Sequence, residues 1–265
     1  MRYHIDTHVH VYHCYEAESF LSRAARNSAM AGSGATLVLC LTESHGFDFF
    51  HELKVCATTD TPISGWSVSL LQGQPAVLLK QADQSIIIIA GRQVITRQGL
   101  EVLALFTDQQ YDDGQETQTV IDNVNENNGL AVLPWGVGKW LGKRGSVIQV
   151  LLNTNKPDAL AIADISGRPS LWPEPGQFRL AQENGYNCLY GTDPLPLHSD
   201  QFRIASAGMV MDLPSDPSLA VAELKTKLYT QTSENNFGKR VSAFRFLKDQ
   251  LMLRINKQSC LTEQA

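Results

Sequence analysis

Cysteine is sparse in this sequence. Cys14, Cys40, Cys56, Cys188 and Cys260 are scattered, odd in number and never part of a C-x-x-C pair. That spacing argues against a thiolate-bound zinc and points to a reducing compartment. Cys40 and Cys188 lie in apolar, strand-like runs, where small buried thiols belong. An excess of charge is also missing. With 22 Lys+Arg against 27 Asp+Glu the formal charge is −5, so there is no general attraction to nucleic acid or to an anionic membrane, and a local basic patch is the most that remains. No apolar run is long enough to span a bilayer, and Met1-Arg2-Tyr3-His4-Ile5-Asp6 has no signal-like apolar core. A cytoplasmic chain is therefore expected, with a small-molecule substrate as its partner and neither membrane nor nucleic acid. Internal repeats and low-complexity linkers are absent as well.

What is present is an ordinary globular composition, 43% hydrophobic and 18% charged over 265 residues. A chain of that size buries a core without staples. Tyr3 to Tyr12 alternates as a strand, carrying Asp6, His8 and His10 on one face. Glu16 to Met30 has helical periodicity and ends at Gly32, and Ala35 to Leu41 is a short continuous apolar run, the mark of a strand buried on both faces. From Ser64 to Thr96, short strand-like segments alternate with turn signals at Gly73-Gln74-Pro75, Ala82-Asp83-Gln84 and Gly91-Arg92, which predicts an antiparallel β-meander.

Strand and helix then alternate again. Strands are expected at Leu100 to Phe106, Leu130 to Leu133, Ala159 to Ile165 and Asn187 to Tyr190. Helices are expected at Thr117 to Asn128, Ser146 to Asn153 and Gln177 to Asn184. Ala220 to Thr230 and Val241 to Asn256 read as closing helices within 216–256, the last amphipathic through Phe244, Leu247, Leu251 and Ile255. Thr232 to Gly238 is the most loop-like stretch. Six or seven strands, each followed by a helix or loop, predict one α/β domain over 1–265. The expected form is a TIM-like barrel with the meander at about 64–96 as an inserted appendage. In such barrels the chemistry lies at the C-terminal strand ends.

Those ends carry the informative residues. His8 and His10, at i and i+2 on a strand, point the same way and can share one metal ion. The second strand runs into Thr42-Glu43-Ser44-His45. Glu101 is a lone carboxylate in an otherwise apolar strand: either a cation beside it offsets its burial, or it sits at the solvated start of the strand. Asn187-Cys188-Leu189-Tyr190 ends in Gly191-Thr192-Asp193-Pro194, which sets a carboxylate just past a buried strand. Asp164 ends another strand, four residues before Arg168; a metal ligand, an ion pair and a helix cap are all open readings.

Asp6-Thr7-His8-Val9-His10 and Gly191-Thr192-Asp193 resemble the first and last signatures of the amidohydrolase superfamily. Thr42-Glu43-Ser44-His45 and Gly99-Leu100-Glu101 resemble motifs of the related polymerase and histidinol phosphatase (PHP) family. The resemblance spans roughly residues 3 to 200. It implies a distorted (β/α)7 or (β/α)8 barrel that holds divalent ions and hydrolyses phosphoester or C–N bonds. Carried over by position, His8, His10, His45, Glu101 and Asp193 would be ligands to Mn, Zn or Fe. Two features depart from it. Leu133-Pro134 stands where a histidine precedes a proline, and Asp193 is followed by Pro194 and Leu195, with His198 only five residues on. No histidine lies between Glu101 and His198. One or two ions are therefore expected, not three.

Where the missing histidine would fall, Trp135 to Gly145 packs four glycines, three cations and two tryptophans into eleven residues. Glycine lets backbone N–H groups approach an anion, and Lys139, Lys143 and Arg144 supply charge for substrate binding. The sequence thus predicts a metal-dependent hydrolase, possibly a phosphoesterase, with Asp193 or His198 moving the proton. The competing reading is a non-catalytic PHP-like barrel that binds an anionic or phosphorylated ligand.

Overall fold

A computed structural model describes residues 1–230 and 235–255. Residues 231–234 of the loop-like stretch, Asn256 and Cys260 lie outside the described residues.

The strands are β1 (Arg2–Val9), β2 (Thr36–Leu41), β3 (Ser67–Leu70), β4 (Ala76–Gln81), β5 (Gln84–Ile89), β6 (Gly91–Ile95), β7 (Glu101–Leu105), β8 (Leu130–Pro134), β9 (Ala161–Ile165), β10 (Cys188–Gly191), β11 (Gly208–Asp212) and β12 (Asn236–Phe237). The helices are α1 (Ala17–Ala31), α2 (Phe49–Thr58), α3 (Thr117–Glu126), α4 (Gly142–Thr154), α5 (Gly176–Glu183), α6 (Pro217–Thr230) and α7 (Ala243–Ile255). No described helix is long and apolar enough to cross a membrane.

The expected TIM-like barrel is not what the chain forms. The strands make two sheets, a seven-stranded one in the order β12-β11-β1-β2-β5-β4-β3 and a five-stranded one in the order β10-β9-β8-β7-β6. Many neighbours pair antiparallel, including β1 with β11, β4 with β5, β6 with β7 and β7 with β8. Antiparallel neighbours need no crossover helix, so the strict strand–helix repeat of a barrel is broken. The sheets meet at strand ends through an isolated bridge between Glu43 and Arg92 and a bond from the Asp193 N–H to the His8 carbonyl, 2.9 Å. Among the described residues no ladder closes them into a ring.

The residues of each strand face divide into three clusters that define four layers. Tyr3, Ile5, Val38 and Ile87 of the first sheet join Leu103, Val132, Ala163 and Leu189 of the second in one core between the sheets. Leu39, Leu41 and Ile88 face outward against Phe20, Leu21 and Leu53 of α1 and α2. Val102, Ala104 and Leu133 face outward against Val120, Ile148 and Phe178 of α3, α4 and α5. The architecture is helix, sheet, sheet, helix, which is why β2 and β5 read as unbroken apolar runs: both faces are covered. Helix α6 closes one end of the inter-sheet core with Ala220, Val221, Leu224 and Leu228. It is tied to the starts of β8 and β10 through Lys225 to the Asn128 carbonyl and Asn187 to the Leu228 carbonyl.

The meander at 64–96 is antiparallel through β3, β4 and β5, as the turn signals predict, but it is no appendage. β5 pairs parallel with β2 inside the first sheet, and the chain passes directly through Ala90 into β6 of the second. Four isoleucines at 86–89, all buried, drive that central placement. Helix α2 and strand β11 go unread in the sequence. The amphipathic reading of α7 is also overturned. Phe244, Leu247, Leu251 and Ile255 are exposed, and the opposite face, with Asp249 buried, turns inward. Charge decides this: Arg245 binds both oxygens of Asp249 and reaches the fully buried Asp200 at 2.9 Å. Turning the helix over would take the Arg245 ion pair from buried Asp200, which a burial of the apolar stripe would have to offset.

Candidate metal centre at one end of the sandwich

A break in β1 sets the histidines. In its first half Tyr3 and Ile5 enter the inter-sheet core, while His4 turns outward and its Nδ1 meets the Ser28 hydroxyl of α1 at 2.9 Å. Strict alternation would leave His8 and His10 on that same outer face. The pairing of β1 with β2 shifts register between Asp6 and Val9. Beyond the shift Val9 and Val11 belong to the outer cluster, and His8 and His10 point between the sheets. A one-residue irregularity exchanges the two faces of a strand, and here it does so just before the site.

Asp6, read with the histidines from the sequence, has a different task. Its Oδ1 accepts the Thr192 N–H at 2.8 Å and the His8 N–H at 3.3 Å, and its Oδ2 accepts the Ala205 N–H at 2.9 Å and the Thr192 hydroxyl. Burial pushes its carboxyl up to about 6, and these four donors restrain the shift. Asp6 is a clasp that draws the end of β10 against β1. Gly191 makes the approach possible, since a Cβ there would stand 2.6 Å from the His8 nitrogen. Asp193 follows with φ +49°, in the left-handed region, held by its bond to the His8 carbonyl. Non-glycine residues in that region are uncommon and gather at functional sites.

The result is a triangle of ligand atoms. His8 Nε2 and His10 Nε2 are 3.1 Å apart, and Asp193 Oδ1 lies 3.4 Å from the first and 3.6 Å from the second. Ligands on a tetrahedral zinc at about 2.0–2.1 Å are separated by roughly 3.3 Å, so the donor set fits a divalent ion. Protonation states fit too. Burial depresses His8 to about 4 and His10 to about 3, which leaves both imidazoles neutral with lone pairs to donate. Burial raises Asp193, and His10 and Lys139 beside it counter the shift. Among the described residues this is the one group of three His, Cys, Asp or Glu side chains placed to hold an ion. One element is missing: His8 Nδ1 is buried without a hydrogen-bond partner, where zinc-binding histidines normally have one.

Around the triangle lies a cavity of about 370 Å³. Gln93 of β6 stands beside both imidazoles, and Tyr12 stacks on His10. Glu101 opens β7 on its inner face, in step with Leu103 and Leu105, and it lines the cavity, but it stands outside the group of three donors in which it was expected as a ligand. Its partner there is the Lys139 ammonium, to which it is ion-paired. Arg203 lines another wall, held by Asp200 at 3.0 Å, and Phe246, Asp249, Gln250 and Leu253 of α7 roof the space.

Other candidates stand apart. His45 is exposed and outside the cluster, because Glu43 turns back to accept the Phe49 and Phe50 N–H groups at the start of α2. His198 is exposed in a 3-10 turn, with its ring against Gln201 and Phe202, and does not line the cavity. Lys143 is exposed, and Arg144 is a strut that binds the Gly99 and Gly138 carbonyls. Of the cationic loop only Lys139 reaches the site. Asp164 pairs with Arg168 through both carboxylate oxygens and also with Arg240. Leu133 belongs to the outer cluster under α4, so a histidine at that position would face the helices and not the ion site. Gln93, Tyr12, Arg203 and the inner face of α7 were missed from sequence. They carry no spacing signal, and only the crossing of β5 into β6 and the fold-back of α7 bring them in.

Fold and site together define a four-layer α/β protein with three donor side chains placed to hold an ion at one end of its inter-sheet core. No family model matches the sequence and no curated protein matches it, so the PHP resemblance rests on its short motifs alone. Among solved structures the chain is similar to PsfC from Pseudomonas syringae PB-5123, with a TM-score of 0.60 and 16% identity over 97% of this chain and 98% of that one. At that identity the likeness is one of fold.

Proposed function

We propose that this protein is a metal-dependent hydrolase of a small anionic substrate, with His8, His10 and Asp193 holding one divalent ion. The observation that carries the reading is the convergence of three neutralisable donors, from strands far apart in sequence, at one wall of a cavity. A divalent ion there supplies a Lewis acid that lowers the pKa of water toward ~7. The chain's own groups do the rest. Lys139 has three N–H donors, of which Glu101 engages one, leaving two donors for an anionic group. Gln93 fixes the imidazoles, and Tyr12, Phe246 and Leu253 exclude water from the walls.

A second reading, a metal-dependent binding protein without turnover, is favoured by one observation. Asp193 is itself part of the ligand triangle and His198 lies outside the cavity, so neither proton shuttle expected from the sequence stands free over the site. Metal content by elemental analysis, with hydrolysis of phosphomonoester, phosphodiester and amide probes, tests both readings. Wild type and H51A should retain metal after dialysis against a weak chelator, and H8A/H10A should lose it. Metal retained in H8A/H10A moves the site elsewhere. Metal bound with no turnover on any probe supports the binding protein.

A further inference from the structure

The loop after β8 does more than carry positive charge. Lys139 N–H closes a turn onto the Gly136 carbonyl at 3.0 Å, and Gly138 takes φ +69°. The lysine stem then lies flat across Gly136, where a Cβ would stand 2.8 Å from Lys139 Cδ. Arg144 fastens the loop to Gly99, just ahead of Glu101, and Trp140 is buried with its indole N–H on the Pro134 carbonyl at 2.9 Å. These contacts aim one ammonium at one carboxylate. Its field reaches His8, His10 and Asp193 together, lowering the proton affinity of all three.

From this placement we propose that Lys139 is a built-in cation standing where a second divalent ion would otherwise bind, so that it fixes the centre at one ion. The inference rests on the metal reading of His8, His10 and Asp193. The site's donors divide unevenly: two imidazoles and Asp193 form the triangle, and Glu101 remains as a carboxylate facing the same cavity. A carboxylate in that position is a ligand for a hard or borderline cation unless something already neutralises it. The ammonium does so from within the chain, and no exchange with solvent removes it. Two-metal centres set their ions about 3.5–4 Å apart and clamp both oxygens of a displacement. Here a fixed monovalent charge takes the second place, which suits a substrate anion that needs a hydrogen-bond donor more than a second Lewis acid.

The test is the count of ions per folded chain by native mass spectrometry, with Zn2+ or Mn2+ added to metal-free protein. Wild type should bind one ion. Lys139→Met keeps the length of the stem and removes the charge, so it should bind two, the second at least tenfold more weakly than the first. K139M/E101Q should return to one, which pins the second ion to Glu101. Retention of the first ion in K139M at an affinity no lower than that of wild type, with an unchanged circular dichroism spectrum, shows that the fold is intact. One ion in K139M, at any affinity, overturns the proposal and leaves the triangle standing. No ion in wild type removes the triangle and the proposal with it.

Discussion

Replacing both His8 and His10 by alanine should change how stability depends on pH, and the size of the change follows from their burial. In the fold both imidazoles stay neutral down to about 4 and about 3. In the unfolded chain they protonate near an ordinary value of about 6.5. Their folded pKa is depressed, so between those limits the unfolded state binds more protons and stability falls as pH falls. From pH 7 to pH 5 each histidine should lose about 2 kcal/mol, roughly 4 kcal/mol for the pair. Asp6, raised to about 6, and Glu43, raised to about 7, act in the opposite sense: the fold takes up their protons first and gains stability on acidification. Both are common to the two proteins and cancel in the comparison, as does the pH-independent cost of the cavities left by alanine. The assay is urea unfolding of chelator-treated wild type and H8A/H10A at pH 7 and pH 5. The variant should retain about 4 kcal/mol more of its pH 7 stability at pH 5 than wild type retains of its own. Equal pH dependence in the two proteins would show that the imidazoles are not held neutral, and the donor chemistry of the site would fail with them.

Two further outcomes test the clasp between β10 and β1. Gly191→Ala should push a methyl group into the His8 backbone, which stands 2.6 Å from the ideal Cβ position, and lower zinc affinity on the order of tenfold by displacing one ligand; unchanged affinity by calorimetry would mean the approach is not needed. Asp6→Asn should cost about 2–4 kcal/mol in urea unfolding, since an amide N–H₂ would confront donors on every side; a loss below about 0.5 kcal/mol, the range of an ordinary surface change, would deny Asp6 its role as a clasp.

Most elements were legible in the sequence, because burial on both faces and helical periodicity leave local marks. The arrangement of the strands was not. An apolar run such as Ile86 to Ile89 says that a strand is buried on two sides, but it does not say which neighbour it pairs with or in which direction. A barrel and a two-sheet sandwich both satisfy that pattern. The difference lies in long-range pairing: β11 antiparallel to β1 from more than two hundred residues away, and β5 slotted beside β2. Helix α7 failed for a related reason. Its apolar stripe is real, but the opposite face carries Arg245, which pairs with a buried carboxylate forty-five residues earlier, Asp200.

The site shows the same division between local and distant causes. His8 and His10 were read from their spacing, and their Nε2 atoms do lie together, yet the alternation that suggested them would have aimed them at α1. The register shift after Asp6 turns them inward, and Asp6 itself holds the strand that brings Asp193 to them. Glu101 lines the cavity from the start of its strand, and it is already paired, because the loop that lacks the expected histidine delivers Lys139 instead. Position 133 faces the helices whatever residue it holds, so the missing histidine is not a ligand lost from this site. On the proposed reading, the centre is built around a fixed ammonium and is not a larger metal cluster with a part removed, so that one ion and one lysine would act on the same anion.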